Sequence, residues 1–237
     1  MDIGTLYFFC VNPIKLMLES RVVDVLDHPE HVKAILRLGK KYRADALFKE
    51  ILVKLERICP VSLSKLNLGF YKKYGSSGLQ FMKVLLDVDA LYHLPGLFYN
   101  LYDENLTEIQ KLGLSPVIQA KLYRGLHLLT PEYAIFVSKT IVSYKVARGE
   151  CCPRRWRTLQ ARLCKEAITS VFNLDRVRPM EAAGSIQTVF RNCHGCSSYL
   201  NERISDFRKD LFARLPEIFD LGESWKELKK ITCTFPL

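Results

Sequence analysis

Apolar residues recur three and four apart through most of this chain and rarely alternate. The clearest stretch is residues 28–59, HPEHVKAILRLGKKYRADALFKEILVKLERIC. Val32, Ile35, Leu36 and Leu38 mark the inner face of one helix, and Leu47, Ile51, Leu52 and Leu55 that of a second. Such spacing follows the 3.6-residue turn of an α-helix, not the two-residue period of a strand. Asp27 stands where a cap belongs, and Pro29 near the first helical position, where its missing N–H has no helical partner to lose. The first helix is expected to end near Gly39–Tyr42. The second is expected to run from about Ala44 to Ile58 and to stop before Pro60.

The same spacing predicts helices along the rest of the chain. Gly75-Ser76-Ser77-Gly78 reads as a breaker, after which residues 79–93 return to helical period. Pro95-Gly96 punctuates, LFYNLYDE continues as a short helix, and Ser115 caps a helix opening at Pro116. The segment PEYAIFVSKTIVSYKV, starting or kinked at Pro131, is rich in β-branched and aromatic residues. No hairpin partner accompanies it, so helix is the expectation. Further helices are expected over about 153–172, opened by Cys151, Cys152 and Pro153, and over about 195–214. Pro216 is expected to separate the latter from a short final element. The fold class is all-α, an irregular multi-helix array. The aromatic clusters Phe70-Tyr71-Tyr74 and Phe98-Tyr99-Tyr102 read as core.

Composition agrees with a packed protein. The 237 residues are 49% hydrophobic and 11% aromatic, which excludes a disordered chain. The net charge of +10 suits an acidic protein face, nucleic acid or an anionic membrane without choosing among them. The densest cluster is Arg154, Arg155, Arg157 and Arg162, with Arg176 and Arg178 following. Beside Trp156, these arginines read either as a patch for phosphates with an aromatic for stacking, or as a helix start with Trp156 in the core. No recognised nucleic-acid motif accompanies them, so the second reading is preferred and nucleic acid is not the expected partner. Four arginines at a helix start oppose the helix dipole, which leaves room for an acidic partner. No apolar run reaches bilayer length, and no basic segment precedes the apolar patch near the N-terminus. The expected setting is intracellular, cytoplasm or nucleus, with the eight cysteines mostly reduced.

Cys193-His194-Gly195-Cys196 is the sharpest chemical motif, because two thiolates at this spacing can share one metal ion. A closed zinc site needs two more ligands, and Cys151, Cys152, Cys164 and His194 are the candidates. The reading set against it is cysteines packed as small apolar residues at helix ends. No other cofactor is expected. A thioredoxin-type redox role lacks its βαβ setting. No catalytic constellation emerges: His28, His31, His93, His127 and His194 fall in no catalytic spacing, and the phosphate-loop, dinucleotide and nucleophile-elbow motifs do not occur. The chain is expected not to be an enzyme.

AILRLGKKYRADALFKEIL resembles the last two helices of a BTB/POZ domain. LYHLPGLFYNLY, and then CHGC, RISDFRKDLFARLPEIFDL and SWKEL in that order, are similar to the helical tail of BTB-domain proteins from mushroom-forming fungi. The resemblance implies a partial BTB-like region over 1–60 and a family-specific helical domain over 61–237. It implies a non-enzymatic protein–protein interaction module, an adaptor or regulator. The strand-rich front half of a BTB fold, which dimerises, has no counterpart before Pro60, so homodimerisation is not expected to carry over. Binding of nucleic acid or an acidic partner through Arg154, Arg155 and Arg157 is one alternative. A structural-zinc protein using Cys193 and Cys196 is the other.

Overall fold

A computed structural model of the chain describes residues 28–66, 68–103, 106–142, 152–172, 178–186 and 193–233. Among these residues the fold is all-α, with ten helices and no strand. In chain order they are α1 Pro29–Lys41, α2 Asp45–Leu55, α3 Leu68–Asp87, α4 Leu94–Asn100, α5 Leu106–Lys111, α6 Pro116–Phe136, α7 Pro153–Phe172, α8 Pro179–Ser185, α9 His194–Ile218 and α10 Trp225–Cys233. They form two compact units. Unit 1 takes the residues up to Leu101, Thr107–Leu114, and those from Leu228 onward; unit 2 takes Tyr102–Leu106 and Ser115–Glu227. The expected division at residue 60 falls inside unit 1. No helix among the described residues is long and apolar enough to cross a membrane.

In unit 1, α1 and α2 form the expected hairpin. Pro29 opens α1, while Asp27 lies outside the described residues and the cap position is His28. Val32, Leu36, Leu47, Ile51 and Leu55 are buried as their spacing predicts. Ile35 and Leu52 are only half-buried. Leu38 is exposed, at 42%, against expectation, and Tyr42 at the corner is exposed as well. Leu38 follows Leu36 by two residues, about 200° round the helix, which turns it away from the core. Its expected place is taken by Gly39, which is buried against Phe48. The corner closes with Arg43 at φ 51° and the Ala44 N–H donating to the Gly39 carbonyl at 2.9 Å.

Helix α3 runs unbroken through Gly75–Gly78, where a break was expected. Glycine weakens a helix interior by about 1 kcal/mol relative to alanine. The same helix buries Leu79, Phe81, Met82, Val84 and Leu85, which is more than enough apolar area to offset two glycines. Lys33 pairs with Asp87 at 2.8 Å and Lys40 with Asp89 at 2.6 Å, tying α1 to the end of α3. The Lys33 hydrogen bond holds the Asp87 carboxyl below the usual carboxylate range.

The turn after α2 buries Ile58, Cys59 and Pro60. Two buried polar side chains serve its carbonyls: Asn100 Nδ2 donates to the Ile58 carbonyl at 2.7 Å, and the His93 ring donates to that of Cys59. Gly96 brings α4 onto this turn so closely that a Cβ there would lie 2.0 Å from the Pro60 carbonyl oxygen. Burial pushes the His93 imidazole down to about 4, so it is neutral at pH 7, and it pushes the Cys59 thiol up.

In unit 2, Ser115 caps α6 as expected, its hydroxyl accepting from the Ile118 N–H at 3.4 Å, with Pro116 in first place. Pro131 lies inside α6 rather than opening a new element. A π-helical turn, Val137–Val142, follows directly, and Gln160 Nε2 donates to the Ile141 carbonyl within it at 2.8 Å. As far as Val142, the last of its described residues, the segment is helical, as expected, despite its β-branched content. Pro216 likewise lies inside α9, against the expected break. A proline there has no N–H for the carbonyl four residues earlier, that of Phe212. Trp225 replaces it: the indole N–H donates to the Phe212 carbonyl at 2.8 Å, and its ring stacks on Phe212 with centroids 4.9 Å apart. Glu132 and Arg214 join α6 to α9 through two hydrogen bonds of 2.9 and 3.0 Å.

Candidate functional site

The chemistry of unit 2 gathers where α7 and α9 begin. Cys152 is the residue before Pro153, and the Trp156 N–H bonds its carbonyl at 3.0 Å; Cys193 caps α9, and the Ser197 N–H bonds its carbonyl at 2.9 Å. Cys196 then falls at the third position of α9. Cap and third-position side chains stand on the same side of a helix start, which is why a CxxC placed there turns both sulfurs to one point. The Sγ atoms of Cys152, Cys193 and Cys196 lie within 4.8 Å of one another.

Cys193 and Cys196 belong to the apolar cluster built by Phe136, Val137, Ile141, Trp156, Leu159 and Leu200, and the half-buried Cys152 packs against it. Trp156 is fully buried, and its indole N–H donates to Cys196 Sγ at 3.3 Å. Tyr199 meets the Trp156 ring edge-on at 6.1 Å and carries Arg203 over its own face at 5.4 Å. The sulfurs thus lie at two helix starts, the positive ends of the helix dipoles, a setting that favours negative charge.

Of the metal candidates read from the sequence, Cys193, Cys196 and Cys152 come together. Cys151 lies outside the described residues. His194 is exposed in the first turn of α9, and Cys164, three turns along α7 from Cys152, is not part of the group. The role of Trp156 as a donor to sulfur was not anticipated. Its only signal in the sequence is the spacing of four from Cys152, which places the two on one side of a helix.

The arginine cluster takes the other side of α7. Arg154, Arg157, Thr158, Ala161, Arg162 and Lys165 are all exposed, while Trp156, Leu159 and Leu163 are buried. The cations therefore share one helical face, which Lys165 extends by a turn beyond the cluster read from the sequence. The Arg155 backbone is helical, and its side chain lies outside the described atoms; Arg176 lies outside the described residues. Trp156 belongs to the core, so it offers no surface on which a base could stack.

No family model, no curated protein and no solved structure matches the chain.

Proposed function

We propose that this chain is a non-enzymatic docking protein that binds an acidic protein segment on the exposed face of α7. The observation that carries the reading is the alignment of Arg154, Arg157, Arg162 and Lys165 along one exposed side of that helix. A face of this kind complements carboxylates presented at helical spacing. The burial of Trp156 favours an acidic protein over single-stranded nucleic acid, which needs an exposed aromatic beside its cations. The resemblance of residues 28–59 to the closing helices of a BTB domain supports the same class of function, a partner-recruiting module in an intracellular setting.

Fluorescence anisotropy with a labelled glutamate-rich helical peptide tests the proposal. Binding is expected to weaken with salt and to fall about tenfold or more in Arg154→Glu/Arg157→Glu. Equal binding by the variant sinks the reading. So does tighter binding of single-stranded RNA than of the peptide, measured in the same buffer.

A further inference from the structure

The geometry points to a zinc site made by Cys152, Cys193 and Cys196. Four-coordinate zinc with Zn–S bonds of about 2.3 Å sets its sulfurs about 3.8 Å apart. The three Sγ atoms are already within 4.8 Å of one another, so about 1 Å of closure completes that part of the tetrahedron. The chain brings them together from two helix starts far apart in sequence.

Three features favour an ion over three packed thiols. A soft, all-sulfur donor set suits zinc among the divalent ions, whereas oxygen ligands would suit magnesium or calcium. The Trp156 N–H at 3.3 Å from Cys196 Sγ is a hydrogen bond a metal-bound thiolate uses well, orienting the sulfur and spreading its charge. The helix starts at Cys152 and Cys193 favour the net negative charge of a tris-thiolate centre. Binding releases one proton from each thiol to solvent, three per ion, with no change of oxidation state. The fourth position falls to a ligand beyond these three.

The site is independent of acidic-partner binding, because its sulfurs sit in the core cluster while the arginines face away from it. Its consequence is mechanical. An ion here joins the start of α7 to the start of α9.

The full chain, purified under reducing conditions and equilibrated with zinc before buffer exchange, is expected to retain about one zinc per chain by elemental mass spectrometry. Cobalt in place of zinc should give thiolate-to-metal charge-transfer absorption and the intense visible bands of a tetrahedral ion. Cys152→Ser and Cys196→Ser should abolish retention, Cys164→Ser should leave it intact, and Trp156→Phe should weaken affinity about tenfold. The inference is overturned if the folded wild-type chain retains far less than one zinc, if Cys152→Ser binds as well as wild type, or if the reduced preparation carries a Cys193–Cys196 disulfide. Should the serine variants fail to fold, X-ray absorption at the zinc edge of the wild type decides. Three or more sulfur neighbours support the site, and fewer overturn it.

Discussion

The two units face opposite versions of one problem, and each puts unusual side chains at it. A helix leaves unpaired carbonyls at its end and unpaired N–H groups at its start. Unit 1 buries the turn that follows α2: its Ile58 and Cys59 carbonyls lie in the core, and they are met by donors from Asn100 and His93. Unit 2 gathers three cysteine sulfurs at two helix starts, those of α7 and α9. Side-chain donors answer buried carbonyls in one unit, and the Trp156 indole N–H answers the Cys196 sulfur in the other. The lesson is that the buried polar chemistry of this helical array gathers where helices begin and at the turns that follow them.

The comparison breaks most sharply at glycine. Gly96→Ala presses a methyl group against the Pro60 carbonyl, which is backbone and cannot step aside; a loss of about 3 kcal/mol or more is expected in unit 1. Gly125→Ala in unit 2 places its Cβ 2.0 Å from Cδ1 of the fully buried Phe219 ring, which has to shift within the core; a side chain gives more readily than backbone, and the loss should be about 2 kcal/mol. Urea denaturation of both variants checks the order. Equal losses would mean that the turn at Pro60 gives way as readily as an aromatic ring.

Acidity should separate the units next. The His93 value of about 4 lies below the ordinary imidazole value of 6.5, so between those pH values the unfolded chain takes up a proton that the folded chain does not. Stability that is whole above pH 6.5 therefore declines as pH falls toward 4, by up to about 3 kcal/mol. Urea midpoints for wild type and His93→Gln at pH 7 and pH 4.5 measure this contribution, which the variant should lose. An identical pH response in the two proteins would show that His93 is not protected by burial.

The smallest effect is a gain. Arg43 holds φ at 51°, a region costly for a residue with a Cβ, at the corner between α1 and α2. Arg43→Gly should stabilise unit 1 by about 0.5–1 kcal/mol, read as a rise in thermal midpoint. A fall would mean that the arginine side chain contributes more than its backbone costs.

Much of this architecture was legible in the residues because local rules governed it. Val32, Leu36, Ile51 and Leu55 sit where helical spacing puts them, and Ser115-Pro116 and Cys152-Pro153 open helices where capping chemistry says they should. The two misread breakers share one cause, whereas Leu38 was misread on helix geometry alone. Gly75–Gly78 and Pro216 were weighed as local breakers, whereas the penalties are offset by partners distant in sequence: apolar burial along α3 and the Trp225 indole on the Phe212 carbonyl. The cysteine corner was half legible. The CxxC spacing pairs two sulfurs, but only tertiary packing brings Cys152 rather than Cys164 beside them. The arginine face was visible as a cluster, while its extension to Lys165 depends on α7 continuing as one regular helix.

Unit 1 is assembled from three separate stretches of chain, the last beginning at Leu228, and unit 2 occupies most of the span between them. Synthesis proceeds from the N-terminus, and domains fold as their residues emerge. A nascent chain that has reached Glu227 holds every residue of unit 2 and still lacks the stretch that completes unit 1. The unit that begins first is therefore finished last, and the start of α10 is the point at which the order of folding parts from the order of the sequence.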